Sequence, residues 1–234
     1  MKLRWPWSRN ERHPSITANH EYFKRFDSRK PIECYDFVAL DTELTGLDQR
    51  NDAIVAIGAV RIEGLQIVAG KNFYSHVRPK RSLPKGSTLI HRLTPDQLED
   101  APELKQVLPD LVDFIGADLI VGHWIGLDMA FINRAAKRLL NGPLHNPYID
   151  SMKLARVYQE RQNRGYYAGI GVGSLSLTAL SNTYNLPRFE QHDALGDAFQ
   201  AACLFLFLVR KLQTLGCRTF TDLRLIQTVL GAWY

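Results

Sequence analysis

The sequence predicts an α/β domain with a mixed central sheet, an antiparallel three-strand meander at its start, and helices flanking its faces. Three observations carry this expectation. Three strand-like runs follow one another directly; a short apolar run appears later, between helical segments; and the C-terminal half has a helical period almost throughout.

The elements follow in order. "YDFVAL", from Tyr35 to Leu40, is a continuous apolar run of strand length. "AIVAIGAVRIEG" forms a second strand, and the turn at Glu63 and Gly64 leads into a third, "QIVAGKNFYSHVRP", so the three pair as an antiparallel meander. In "TPDQLEDAPELKQVLPDLVDFIG" the second half is helical, with Pro102 near its start and Gly116 near its end. "DLIVGH" is a buried strand. The helices "DMAFINRAAKRLL", "DSMKLARVYQERQ", "SLSLTALSNTY", "DALGDAFQAACLFLFLVRKLQTL" and "TFTDLRLIQTVLG" follow. Glycines 165, 169, 171 and 173 around Tyr166 and Tyr167 predict a mobile loop.

A chain of 234 residues, 45% hydrophobic, has enough material for one sizeable core. The division expected is a basic N-terminal appendage over residues 1–34, which carries Trp5 and Trp7 without clear periodicity, and a main domain over residues 35–234. A net charge of +5 suits a polyanionic partner. Three scattered cysteines, Cys34, Cys203 and Cys217, suggest neither a disulfide framework nor a zinc site, and a reducing cytoplasm is the expected location. The N-terminus does not read as a secretory leader, and "AACLFLFLV" is too short to span a bilayer, so no membrane association is expected.

The chemistry begins at "FVALDTELTGLD". Alternation along a strand puts Asp41 and Glu43 on one face, where two like charges repel unless cations neutralise them. Asp128 opens a helix after the "LIVGH" strand and, taken alone, reads as a helix cap before a site residue. In "HDALGDAFQAA", His192 precedes Asp197, whose helical neighbours Ala194, Ala198, Ala201 and Ala202 are small enough for close packing against another element.

Taken together, "DTE", "LIVGHWIGLDMAFINR" and "HDALGDA" in this order and spacing resemble the DEDDh family of 3′–5′ exonucleases, which have the ribonuclease H-like fold. The likeness runs from about residue 35 to residue 212 and includes "IVAIGAVRI", "IHRLTPDQL" and "YIDSMKLAR". The resemblance implies that Asp41, Glu43, Asp128 and Asp197 hold two divalent metal ions, Mg2+ or Mn2+, and that His192 is the general base. It implies release of nucleoside 5′-monophosphates from the 3′ ends of single-stranded nucleic acid, DNA ahead of RNA. Within the family the chain is similar to the proofreading epsilon subunit of bacterial DNA polymerase III, so a DNA polymerase or another replication or repair protein is the partner to expect.

Thr45, Gly46 and Leu47 are the expected contacts to the terminal nucleotide, with a core role open for Leu47. His91 reads as structural before nucleotide-binding, and Tyr166 and Tyr167 as loop anchors or base platforms. Trp124, Leu127 and Leu44 depart from the family pattern and put the shape of the nucleotide pocket in question. The competing reading is a catalytically silent module of the same fold that binds nucleic acid or a polymerase.

Overall fold

The computed structural model describes residues 11–80, 92–163 and 174–231. Trp5, Trp7, His91, Tyr166, Tyr167 and the glycine-rich stretch from Gly165 to Gly173 lie outside the described residues.

A five-stranded sheet in the order β3-β2-β1-β4-β5 forms the centre. Its strands are β1 (Phe37–Leu44), β2 (Ile54–Glu63), β3 (Gln66–His76), β4 (Leu119–Gly122) and β5 (Tyr148–Asp150). β1 runs antiparallel to β2, from Phe37 opposite Ile62 to Leu44 opposite Ile54, and parallel to β4. The predicted meander is therefore present, and the sheet is mixed. The helices are α1 (Pro14–Phe23), α2 (Pro95–Glu99), α3 (Leu104–Ile115), α4 (Gly126–Leu139), α5 (Ser151–Asn163), α6 (Leu177–Thr183), α7 (Ala194–Gln213) and α8 (Phe220–Gly231). β5 has only three residues, too few for a period to be read in sequence.

Alternation along β1 divides the core into two layers. Phe37 and Ala39 face a cluster that includes Val60, Val121, Leu154, Phe205 and Leu208, covered by α5 and α7. Val38 and Leu40 face Leu108, Leu111, Phe131 and Ile132 from α3 and α4. α7 is apolar nearly all round, as befits a helix between the sheet and other helices. The Asp193 side chain caps its start by accepting the Gly196 N–H, and Arg210 and Lys211 lie in its last turn.

α1 is not foreseen from composition. It starts with Pro14 at its first position and carries Ile16 into the α3–α4 layer, where that side chain is wholly buried. Asn19 locks the helix in place: its amide donates to Asn146 Oδ1 (2.6 Å) and the Gly116 carbonyl (3.1 Å), and its Oδ1 accepts the His145 N–H (2.8 Å). A few buried polar bonds and one isoleucine hold this segment, and no apolar stripe announces it.

Candidate active site

The alternation that divides the core also sets the direction of the carboxylates. Asp41 and Glu43 continue the Phe37–Ala39 face towards α7, and Thr42 continues the opposite face towards α4. The approach of α7 depends on Gly58, which pairs with Asp41 across the β1–β2 ladder. A Cβ at Gly58 would come within 2.2 Å of the Ala194 carbonyl, so the first turn of α7 lies directly on bare strand backbone. That contact delivers Asp197. Carboxylate oxygens of Asp41, Glu43 and Asp197 all lie within 4.8 Å of one another.

Asp128 stands outside that 4.8 Å set but next to it. It is the third residue of α4 and does not cap the helix. Its Oδ1 instead accepts bonds from the Thr42 backbone N–H (3.0 Å) and hydroxyl (2.5 Å), a link between β1 and α4 across 86 residues.

Crowding shows in the acidities. Burial, and then the charges of Asp128, Asp197, Glu43 and Asp193, push the Asp41 carboxyl well above the usual carboxylate range. Burial followed by Asp197 and Asp193 raises Glu43 to about 7. Burial raises Asp128 to about 7 although the two Thr42 bonds pull it down. Asp197 also lies high, first through burial, with the His192 N–H bond working against the shift. A cluster of hard oxygen donors strained by mutual repulsion suits a divalent cation, whose charge reverses the penalty.

His192 is exposed and has a left-handed backbone, φ 58°. Its N–H donates to Asp197 Oδ2 at 3.0 Å, tying the loop to the carboxylate set. The side chain lines a cleft of about 250 Å³ together with Glu43, Tyr74, His76 and Asp193. Sequence reasoning missed three of these. Tyr74 and His76 share a face of β3, and Tyr74 Oη lies 2.8 Å from His76 Nε2. Burial, and then the neighbouring Asp193, push the Tyr74 phenol up to about 12, so it remains a hydrogen-bond donor. Asp193 was legible as a helix cap in "HDALGD", but its second effect, adding negative potential at Glu43, needed the tertiary structure.

The loop after β1 is organised by Asp52. Its carboxylate accepts from the Thr45 hydroxyl (2.9 Å) and the Asp48 N–H (2.9 Å). A Cβ at Gly46 would stand 2.5 Å from the same carboxylate, so a larger residue there would displace the Asp52 side chain. Leu47, at the tip, is 72% exposed, which rules out the core role that the sequence left open.

The departures from the family pattern have a structural setting. Trp124 has a left-handed backbone (φ 59°), donates its N–H to Asp150 Oδ1 at 3.1 Å, and is 60% exposed, with its indole N–H on the Met152 sulfur. Leu44 and Leu127 pack against the α3–α4 layer. The neighbouring His123 is held between the Ser151 hydroxyl (3.0 Å) and the Leu175 carbonyl (2.9 Å), and burial lowers it to about 4, which makes it a neutral structural imidazole.

Comparison with known proteins agrees with this arrangement. A family profile described as exonuclease matches residues 38–205. DNA polymerase III PolC-type of Thermotoga maritima is 30% identical over 194 residues, which is 83% of this chain and 13% of that polymerase. The protein of the same description from Staphylococcus haemolyticus is 29% identical over 187 residues, 80% of this chain and 12% of its own length. The chain thus spans a small fraction of these relatives. Among solved structures, Exonuclease X in complex with 5′-overhanging duplex DNA superposes with a TM-score of 0.54 at 27% identity, over 74% of this chain and 91% of that one. E. coli Exonuclease I in complex with a dT13 oligonucleotide gives 0.68 over 77% of this chain and 42% of that one, at 16% identity, and shows the shared ribonuclease H-like fold. A profile match over well more than half the chain, joined to the order of its acidic motifs, makes this protein a member of the DEDDh exonuclease family and a nuclease by class.

Proposed function

We propose that the chain hydrolyses the terminal phosphodiester at the 3′ end of single-stranded nucleic acid, DNA ahead of RNA, and releases nucleoside 5′-monophosphates one at a time. The observation that carries this reading is the partly buried carboxylate set of Asp41, Glu43 and Asp197, with Asp128 beside it and an exposed histidine at its rim. Family membership implies divalent metal cofactors, and the donor set fits them. Two ions, Mg2+ or Mn2+, held among Asp41, Glu43, Asp128 and Asp197, would when bound acidify the attacking water and stabilise the leaving 3′ oxygen.

The chain's own residues supply the rest. His192 takes the proton of the attacking water, a role suited to an exposed imidazole at the rim of the carboxylate set. Its tie to Asp197 keeps the imidazole loop at the carboxylates. Thr45 and Gly46 form the turn on which the terminal nucleotide rests, and the exposed Leu47 packs against its base. Tyr74, protonated over the whole working range, donates to a phosphate oxygen from the opposite wall of the cleft. The PolC-type relatives support a setting in replication or repair, with a DNA polymerase as partner. Among the described residues no helix is long and apolar enough to cross a membrane. A reducing cytoplasm suits the three free thiols.

A time course on end-labelled single-stranded DNA and RNA of matched sequence, with Mg2+, with Mn2+ and with chelator, tests the proposal beside Asp197→Asn. The expected result is a metal-dependent ladder that shortens from the 3′ end in wild-type protein only. Metal-independent binding without product would favour the silent binding module, and a ladder that shortens from the 5′ end would overturn the polarity.

A further inference from the structure

A second concave surface lies on the other flank of the β1 end. The catalytic cleft draws Ala56 from β2 and Tyr74 and His76 from β3, whereas an open groove of about 690 Å³ lies against α4 and takes Tyr148 from β5. The loop after β1 forms its near wall with Gln49 and Arg50. The groove holds four cationic side chains, Arg50, Arg134, Lys137 and Arg138. Among the described residues, none of the four has a carboxylate within 4.0 Å.

Arg134 is fixed in place: its guanidinium donates to the Asp52 carbonyl at 2.7 Å and lies over the Phe131 ring. Lys137 and Arg138 are exposed in the last turn of α4, where they also complement the helix dipole. That local role explains neither Arg50, which lies in a different segment, nor the aromatic surface beside the cations. Tyr148 is 44% exposed within the groove. Trp124, 60% exposed, is anchored through its N–H to Asp150, two residues along β5 from Tyr148. Cations without a carboxylate partner within 4.0 Å, beside an exposed aromatic ring, are the chemistry that holds a single strand, the cations on phosphates and the ring on a base.

We propose that this groove is a track for the strand whose 3′ end lies at the carboxylates, and that it engages nucleotides upstream of the one removed. The inference rests on the nuclease reading above and specifies how the substrate is held. Lys137 and Arg138 follow Asp128 by nine and ten residues, which at ~1.5 Å per helical residue is about 14 Å. A strand with its 3′ end at the carboxylates must extend at least that far to reach them. The track therefore acts on substrates long enough to reach it and leaves a mononucleotide ester unaffected.

Two measurements on Lys137→Gln/Arg138→Gln test this. The first is the salt dependence of binding to an end-labelled oligothymidine, read by fluorescence anisotropy in EDTA. The second is hydrolysis of the p-nitrophenyl ester of thymidine 5′-monophosphate with Mn2+. Losing two single-strand phosphate contacts reduces the slope of log K against log salt by roughly 1.4, at ~0.7 per contact. Tyr148→Ala weakens oligothymidine binding by roughly fivefold or more. Ester hydrolysis stays at the wild-type rate in both variants.

An unchanged slope in the double variant would overturn the proposal. So would an equal loss on the ester, or a loss seen only with duplex. Should the wild-type protein fail to shorten the oligothymidine with Mn2+, the proposed 3′-end hydrolysis falls while the salt slopes still decide the groove.

Discussion

Replacing Glu43 with Gln should make the metal-free protein more stable while destroying its activity. Glu43 is 9% exposed and titrates at about 7, against an ordinary 4.5, first because it is buried and then because Asp197 and Asp193 face it. At ~1.4 kcal/mol per pH unit, the gap corresponds to about 3 kcal/mol against the ionised form, an upper bound because its neighbours share protons with it. The folded state holds this proton more tightly than the unfolded chain does. The contribution of Glu43 to stability is therefore complete below pH 4.5, declines as pH rises through 4.5 to 7, and stays low above that. The Gln variant escapes this loss, so at pH 8 in EDTA it gains about 1–3 kcal/mol, or a Tm rise of about 3–10 °C for a chain of this size. Below pH 4.5 the two proteins converge. Divalent ions narrow this gap, since wild-type protein gains about 2.7 kcal/mol at a hundredfold excess over Kd and the variant gains less. Thermal unfolding at pH 4 and pH 8, with EDTA and with Mn2+, reads all four conditions. A variant no more stable than wild type at pH 8 in EDTA would refute the reasoning, as would equal stabilisation of both by metal.

Three further perturbations probe how the site is supported. Gly58→Val drives a side chain into the Ala194 backbone, so it should cost about 1–3 kcal/mol in urea unfolding and lower kcat more than it raises KM, because Asp197 is displaced. Thr42→Val removes the hydroxyl from Asp128 and should cost about 1–3 kcal/mol, while the acid limb of the pH–rate profile moves to higher pH as that carboxyl rises further. Burial lowers both His13 and His145, so the folded state resists protonating them; α1 docking should be intact above pH 6.5 and weaken as pH falls, with amide exchange in Pro14–Phe23 rising at pH 5 relative to the core strands.

The strands and helices that hold the catalytic groups were legible because each announces itself locally. β1 is an apolar run that ends in two acids of one parity, and α7 is a capped helix with small residues around Asp197. What sequence could not supply depends on distance along the chain. Nothing near Thr42 says that its hydroxyl will meet Asp128, and nothing near Gly58 says that a helix start will rest on it. Tyr74 reads as an ordinary strand aromatic until Asp193 is placed beside it. α1 escaped notice because it is secured by Asn19 and a single isoleucine. Leu47 was ambiguous because an exposed leucine and a core leucine look alike in a sequence.

The bare-backbone seat of α7 on β2 also has a temporal consequence. Asp41 and Asp197 are separated by 156 positions (41 to 197), and the helix that carries the second cannot dock until β2 has paired with β1. Contacts of such long sequence separation form late, after the loops that join them have closed. A chain still being synthesised, or one cut short before Ala194, would carry Asp41, Glu43 and Asp128 without the partner that completes the acidic pocket. Such a chain lacks Asp197 and so could not assemble the full acidic set. Completion of the acidic pocket thus waits on α7, a consequence of where the acids lie along the chain.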